Sequence, residues 1–130
     1  KLFGREDMTW WDADEEREVD VVKGCFMLVR REAIKDVGEM DESLFLYGEE
    51  TDWCYRFKQA GWQILFMHSA EIIHVGGASI NHLGAKAKLQ LWGSKLLFLK
   101  KHRGLFAYAM GMSSVNYNFP SATIISSLQL

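Results

Sequence analysis

The sequence has few of the features that interrupt a chain, cross-link it or carry it through a membrane. Its single proline, Pro120, leaves every earlier helix or strand free of proline breaks. No apolar run reaches the roughly 18 residues of a membrane-spanning helix. The first residues lack the apolar segment of a signal peptide. These absences predict one globular unit of 130 residues in the cytoplasm.

Cysteines are scarce, and their spacing excludes a zinc finger or a C-x-x-C redox pair. Only Cys25 and Cys54 are present. Both lie among apolar residues, so we expect buried, reduced thiols.

Acidic residues are absent from the second part of the chain. All seventeen precede residue 72, where they face nine Lys and Arg, whereas residues 72–130 hold six Lys and Arg and no acid. Such asymmetry predicts an anionic partner for the second part. Phosphate groups, a membrane surface and nucleic acid all remain open at this point.

Hydrophobic residues make up 48% of the chain, enough for a core. The apolar run at residues 19–30 predicts a buried strand in which Gly24 marks a bulge or a close backbone approach. A short helix is expected over 32–37, ended by Gly38. A longer helix over 49–60 should begin after Gly48, with Trp53 and Phe57 on its apolar face.

Two short strands follow at residues 62–67 and 70–75, and then a long helix from 82 to about 102. The predicted order is therefore β–α–β–β with a basic helical extension. We expect an α/β domain over 1–80 that lacks part of its sheet, and the extension over 81–130.

Three carboxylates, those of Glu49, Glu50 and Asp52, crowd the first turn of the predicted helix. The helix dipole stabilises acids at such positions by about 0.3–1 kcal/mol each, which is the structural interpretation. The functional one is a general base that takes a proton from an attacking hydroxyl. A pair of glycosidase carboxylates is disfavoured, because adjacent helical residues point about 100° apart and cannot face each other across a bond.

His74 precedes two glycines at the end of an apolar run. It is interpreted either as a structural residue or as a metal ligand, since glycine lets a phosphate or metal approach the backbone. The other histidines, His68, His82 and His102, are interpreted as surface or capping residues.

Four segments stand out between about residues 19 and 79. They are Val-Lys-Gly-Cys-Phe-Met-Leu-Val-Arg-Arg-Glu-Ala from Val22 with Val-Gly-Glu-Met-Asp-Glu-Ser-Leu-Phe from Val37, Tyr-Gly-Glu-Glu-Thr-Asp-Trp-Cys-Tyr-Arg from Tyr47, Ala-Gly-Trp from Ala60, and Ile-Ile-His-Val-Gly-Gly-Ala-Ser from Ile72. In this order they resemble the family 2 inverting glycosyltransferases of the GT-A fold, above all rhamnosyltransferase-like members.

The resemblance implies roles for individual residues. An acidic pair, usually Glu-Asp, stands where Glu49 and Glu50 lie, and its second member activates the acceptor hydroxyl. Glu50 is thus the implied base, although glutamate in place of aspartate leaves Glu49 as an alternative. His74 matches a histidine that helps hold the divalent metal, Mg or Mn, on the donor diphosphate. Gly24 and Asp52 are implied on the acceptor-binding side, while Asp41 and the Asp52–Arg56 pair match structural positions.

The resemblance also implies what the chain lacks. The nucleotide-binding half of such a domain and its Asp-x-Asp metal motif are absent, and Asp12-Ala13-Asp14 is rejected as a coincidence because it lies in an acidic loop. We therefore expect only the C-terminal, acceptor-side half of a GT-A domain, inactive alone. The intact enzyme would transfer a sugar from a nucleotide-sugar donor to a glycan or lipid-linked acceptor, in polysaccharide or cell-surface glycan synthesis.

The alternative is a non-catalytic module that binds an anionic membrane or polymer through the basic segment. Cations alternate there with apolar residues, as in a helix lying on a lipid surface at the inner face of the membrane, over residues 82–103. A basic helix packed against its own domain explains the same pattern equally well. Nucleic acid is disfavoured, because no recognised motif supports it and the first half is acidic.

Overall fold

The computed structural model describes residues 11–44, 46–75 and 84–118. Within these ranges the chain is mixed α/β, with two short strands and three helices. In chain order the elements are β1 (Arg17–Glu18), α1 (Arg31–Val37), α2 (Glu49–Gln59), β2 (Leu65–Phe66) and α3 (Ala85–Asn118).

The sheet is much smaller than the sequence predicts. β1 pairs antiparallel with β2, Arg17 opposite Phe66 and Glu18 opposite Leu65. The Val19 amide extends the pairing by donating to the Ile64 carbonyl at 2.9 Å. The strand predicted at 62–67 is thus confirmed for two residues.

The strands predicted over 19–30 and 70–75 are wrong, and the element order is β–α–α–β–α. Residues 20–30 and 70–75 form no strand, and several of their apolar side chains are exposed, Leu28 to 95% and Ile73 to 98%. A strand requires a neighbour that accepts and donates its backbone hydrogen bonds, and apolar content alone does not supply one. The described part of the chain provides that neighbour only at 17–19 and 64–66.

Both shorter helices are confirmed, and each is bounded by a glycine as predicted. α1 ends at Gly38, whose φ of 87° places it in the left-handed region. α2 is preceded by Gly48, with a φ of 90°, and ends at Gln59, followed by the C-cap residue Ala60 and then Gly61. Positive φ is costly for residues with a Cβ atom, which explains why glycine marks these boundaries.

α2 lies at the centre of the fold, with one apolar cluster on each side. Cys54 packs with Val19 and Ile64 in the first cluster. In the second, Trp53 and Phe57 pack with Ala33 of α1. The thiol of Cys54 is buried as expected, but Cys25 is exposed because it lies in a turn with Gly24.

The C-terminal end of α1 is fastened to α2 by hydrogen bonds. The Trp53 indole N–H donates to the Gly38 carbonyl at 2.8 Å. Arg56 donates to the carbonyls of Val37 at 2.9 Å and Glu39 at 2.7 Å. These donors satisfy carbonyls that the end of a helix leaves without a partner.

α3 is longer than predicted and folds back on itself. Gly104 has non-helical angles, φ 81° and ψ 179°, and separates a segment over 85–103 from one over 105–118. A Cβ atom on Gly111 would lie 2.8 Å from Leu99 Cδ1 and 3.0 Å from Leu96 Cδ2. A straight helix would place residues 99 and 111 about 18 Å apart. The two segments therefore form a helical hairpin, and Gly111 lets them approach closely.

The first segment of α3 packs across α2. Ser94 is 3% exposed, and a Cβ atom on Gly48 would lie 3.2 Å from Ser94 Cβ. Further along, Phe98 meets Tyr55 edge to face, with ring centroids 5.4 Å apart. One face of the basic helix thus packs on its own chain, while Lys86, Lys88, Lys95 and Lys100 lie on the exposed surface.

Gly48→Ala is expected to lower the free energy of unfolding by about 1–2 kcal/mol, because left-handed backbone is costly for alanine. The new methyl group would also crowd Ser94. Urea unfolding at 25 °C measures the change.

Gly93→Ala is the matched control, since a Cβ atom there meets nothing within 4 Å. In a helix interior this substitution should stabilise by about 0.5–1 kcal/mol. Equal stabilisation by both substitutions would contradict the left-handed conformation of Gly48 together with its contact to Ser94.

Candidate active site

The site predicted from the sequence centres on the start of α2. Glu49 and Glu50 are the first two residues of this helix. Their side chains leave the helix in directions about 100° apart. The two carboxylates consequently occupy different surroundings.

The backbone that leads into this helix is strained. Leu46 and Tyr47 have φ angles of 63° and 72°, and Gly48 follows at 90°. Left-handed conformations of residues other than glycine cost about 1–3 kcal/mol each and persist only where the surrounding structure enforces them. The Asp52 amide donates a hydrogen bond to the Gly48 carbonyl at 2.9 Å, and this bond joins the end of the loop to the first turn of the helix.

Glu50 is half-buried beside Gly24. A Cβ atom on Gly24 would lie 3.5 Å from Glu50 Cβ and 3.8 Å from its Cγ. Burial raises the pKa of Glu50, and the charge of neighbouring Glu49 raises it further. The structure thus brings together two residues that the sequence assigned to one site, and it gives the carboxylate the raised pKa that suits a general base.

Glu49 faces a different side. It lines an open depression of about 500 Å³. The other residues around this depression are Met40, Asp41, Glu42, Leu44 and Leu46. Glu49 Oε2 is buried, and no hydrogen-bond partner for it exists in the described part of the chain. The residue thus borders an open depression and has one buried oxygen without a partner among the described residues.

Asp52, two residues further along, is completely buried and bonded to two cations and a histidine. Arg56 Nε lies 2.7 Å from Oδ2, while Lys101 Nζ and His102 Nε2 lie 2.8 Å and 2.6 Å from Oδ1. Burial alone would raise the pKa of Asp52, but the hydrogen bonds from Lys101, His102 and Arg56 outweigh it and lower the pKa. The predicted Asp52–Arg56 pair is thus confirmed.

Asp41 extends this network. Its carboxylate accepts from Lys101 Nζ at 2.7 Å and from the Ser43 hydroxyl and amide at 2.6 Å and 2.9 Å. The bond from Lys101 is the main reason that the pKa of Asp41 falls well below its usual range. Burial lowers the pKa of Lys101, but its bonds to Asp41 and Asp52 prevail and raise it. We call Asp41, Asp52, Arg56, Lys101 and His102 the carboxylate latch.

The sequence analysis missed Lys101 and His102. The interpretation of His102 as a surface residue is wrong, since its side chain is 11% exposed and packs against the rings of Tyr55 and Phe98 at 4.5 Å and 4.8 Å. Nothing in the sequence marks a pair across 50 residues. The only hint was the apolar residues around this histidine.

The remaining predicted site residues are only partly brought together. Both Asp52 oxygens are held by side chains of the protein, which fits its structural role, while its acceptor-binding role stays a prediction. His74 is exposed, and no contact between it and Glu49 or Glu50 occurs among the described residues. Within 11–44, 46–75 and 84–118, no group of three His, Cys, Asp or Glu residues could hold a metal ion. His74 would supply one ligand at most.

Comparison with known families defines the class of protein to which this site belongs. The family model described as "Glycosyltransferase like family 2" matches residues 2–91. The chain therefore belongs to this family.

Two curated relatives also resemble the chain. They are the N-acetylglucosaminyl-diphospho-decaprenol L-rhamnosyltransferases of two Mycobacterium tuberculosis strains, CDC 1551 and H37Rv, each 38% identical over 78 residues. The match covers 56% of this chain and 25% of each relative, so the chain corresponds to about a quarter of their length. No solved structure shows a significant match. The predicted rhamnosyltransferase-like resemblance is confirmed.

The latch predicts an acid-sensitive fold. Because the pKa values of Asp41 and Asp52 are lowered in the folded state, the unfolded chain binds more protons as the pH falls. The free energy of unfolding should be at its full value above about pH 5 and decline once the pH drops below about 4, the ordinary range of aspartate.

Asp52→Asn should cost about 1.5–3 kcal/mol at neutral pH, since it removes the charged acceptor of the bonds from Arg56, Lys101 and His102, and should flatten the acid dependence. Urea unfolding across pH measures both.

Asp20→Asn is the matched control. Asp20 pairs with Lys58 at 2.5 Å, but its side chain is 91% exposed. Its loss should cost below about 1 kcal/mol. Equal losses for the two variants would contradict a special role for the buried carboxylate.

Proposed function

We propose that this chain forms the acceptor-side half of a GT-A domain. The complete polypeptide transfers a sugar, with inversion, from a nucleotide-sugar donor to an acceptor hydroxyl. Family membership supports sugar transfer. The observation that carries the assignment of the site is the half-buried Glu50 against Gly24 at the start of α2, with its raised pKa.

Glu50 is the proposed general base. Its carboxylate takes the proton of the acceptor hydroxyl while the hydroxyl oxygen attacks the anomeric carbon from the side opposite the leaving nucleoside diphosphate. A single displacement inverts that carbon and needs one base and no enzyme nucleophile. A pKa raised toward the working pH makes a carboxylate a stronger proton acceptor while it stays ionised.

Glu49 is proposed to orient the acceptor. It lines the depression and carries a buried oxygen with no partner in the described ranges. The part of the carboxylate that faces the depression can accept a hydrogen bond from a second hydroxyl of a sugar. Its charge also contributes to the raised pKa of Glu50.

A divalent metal, Mg or Mn, is proposed in the intact enzyme, with His74 as one ligand. Such an ion supplies Lewis-acid stabilisation of a leaving diphosphate. Its other ligands must come from residues outside the described ranges or from the donor. Metal binding to the complete polypeptide, compared with its His74→Ala variant by calorimetry, tests this assignment directly.

A lipid-linked acceptor is proposed from the relatives, whose names specify an N-acetylglucosaminyl-diphospho-decaprenol substrate. With such an acceptor, the proposed reaction belongs to polysaccharide or cell-surface glycan synthesis. It also agrees with a cytoplasmic protein that contacts the inner face of the membrane through 82–103. No helix in the described part of the chain is long and apolar enough to cross a bilayer.

Glu50→Gln in the complete polypeptide is expected to lower kcat about 100- to 10,000-fold with little effect on donor KM, since it removes the base. The same change in the chain described here should leave its stability unchanged or raise it, because burial disfavours the ionised Glu50. Initial rates and urea unfolding measure the two effects.

Glu49→Gln is the matched variant, one residue away on the same helix turn. It should raise the acceptor KM more than it lowers kcat. A fully active Glu50→Gln with an inactive Glu49→Gln would transfer the base to Glu49. If both variants kept full activity, neither glutamate would be the general base.

A further inference from the structure

The second segment of the helical hairpin differs from the rest of the chain in charge. Residues 104–130 contain no Asp, Glu, Lys, Arg or His. Two cations, Lys100 and Arg103, lie just before the bend at Gly104, and both are exposed. The bend therefore joins a cationic helix end to an uncharged helix.

Large apolar side chains are exposed at this bend. Leu105 is 72% exposed, Phe106 81% and Met110 59%. Phe106 and Met110 are four residues apart and lie on one helix face. The contact that closes the hairpin is made elsewhere, by Gly111 against Leu96 and Leu99. We call Leu105, Phe106 and Met110 the hairpin tip.

The cations beside the tip remain at the surface. Lys100 Nζ lies 6.0 Å from the ring of Tyr108, and the Arg103 guanidinium lies 5.8 Å from that of Tyr55. Neither joins the carboxylate latch, which uses their neighbours Lys101 and His102. No acidic residue occurs anywhere after Glu71 to oppose an anionic surface.

We propose that the hairpin tip inserts into the interface of an anionic bilayer, with Lys100 and Arg103 at the headgroups. Apolar side chains bordered by cations, in a segment with no acidic residue of its own, favour this occupant, because anionic lipid accommodates both the apolar side chains and the cations. This membrane contact deepens the proposed function. It rests on that function only in assuming that the acceptor is lipid-linked and therefore lies at a membrane. The proposal places the membrane contact at the bend rather than along the whole segment 82–103, because one face of the described helix over residues 85–103 packs on α2.

Co-sedimentation of the chain tests the proposal, with vesicles of phosphatidylcholine alone and vesicles that also contain phosphatidylglycerol, at low and high salt. The chain should bind the anionic vesicles, and salt should weaken that binding. Leu105→Ser with Phe106→Ser should weaken it by about tenfold or more, as apolar contact is lost. Lys100→Gln with Arg103→Gln should remove most of the preference for anionic lipid.

Leu28→Ser with Ile73→Ser is the matched control, since these side chains are 95% and 98% exposed elsewhere on the chain. It should bind as the unchanged chain does. Equal loss in the control, full binding by the tip variant, or no binding by the unchanged chain would overturn the proposal. Circular dichroism establishes that each variant is folded.

Sedimentation velocity without vesicles separates lipid from a second copy of the chain. A monomer is expected, and dimers abolished by the tip substitutions would overturn the proposal in favour of self-association. Sugar transfer by the complete polypeptide to a soluble acceptor reports on the proposed function alone. If the tip variant kept its sugar-transfer activity toward the soluble acceptor but lost vesicle binding, the result would support each of the two proposals independently.

Discussion

A single buried carboxylate, that of Asp52, connects the helices of this structure. Its oxygens contact Arg56 of the same helix and Lys101 and His102 of α3. Arg56 in turn holds carbonyls at the end of α1. Charge removed from water is tolerated only when paired, so these partners must be present together. Among the described residues each apolar cluster has only three buried members, so this network also contributes to the orientation of the helices.

Two acids on one helix turn have opposite environments. Glu50 is raised in pKa by burial and by its neighbour Glu49, whereas Asp52 is bonded to two cations and a histidine, which lower its pKa. Divergent environments of this kind separate the roles of nearby carboxylates. Asp52 remains ionised and structural, and Glu50 retains affinity for a proton. The proposed chemistry and the fold therefore draw on adjacent positions without sharing a residue.

The features predicted correctly from the sequence are those set by residues close together in the chain. Glycines at 38, 48 and 61 marked the helix ends, and Asp52 with Arg56 was found as a pair four residues apart. The strands at 19–30 and 70–75 were wrong because strand pairing is not local. The latch could not be predicted for the same reason, since Asp41 and Lys101 are 60 residues apart. Of the candidate site, the closeness of Gly24 and Glu50 was anticipated only through family resemblance.

The separation of these contacts along the chain also implies an order of folding. The bonds that join α1 to α2 span 15 and 19 residues, whereas Asp52 and His102 are 50 apart. Closing a longer loop costs more entropy and is generally slower. The α1–α2 unit can therefore assemble while α3 is still detached. Docking of α3, with Lys101 and His102 binding the Asp52 carboxylate, would then complete the native state. A chain with α3 detached would leave the Asp52 carboxylate without Lys101 and His102, and the start of α2 without the covering that Ser94 provides.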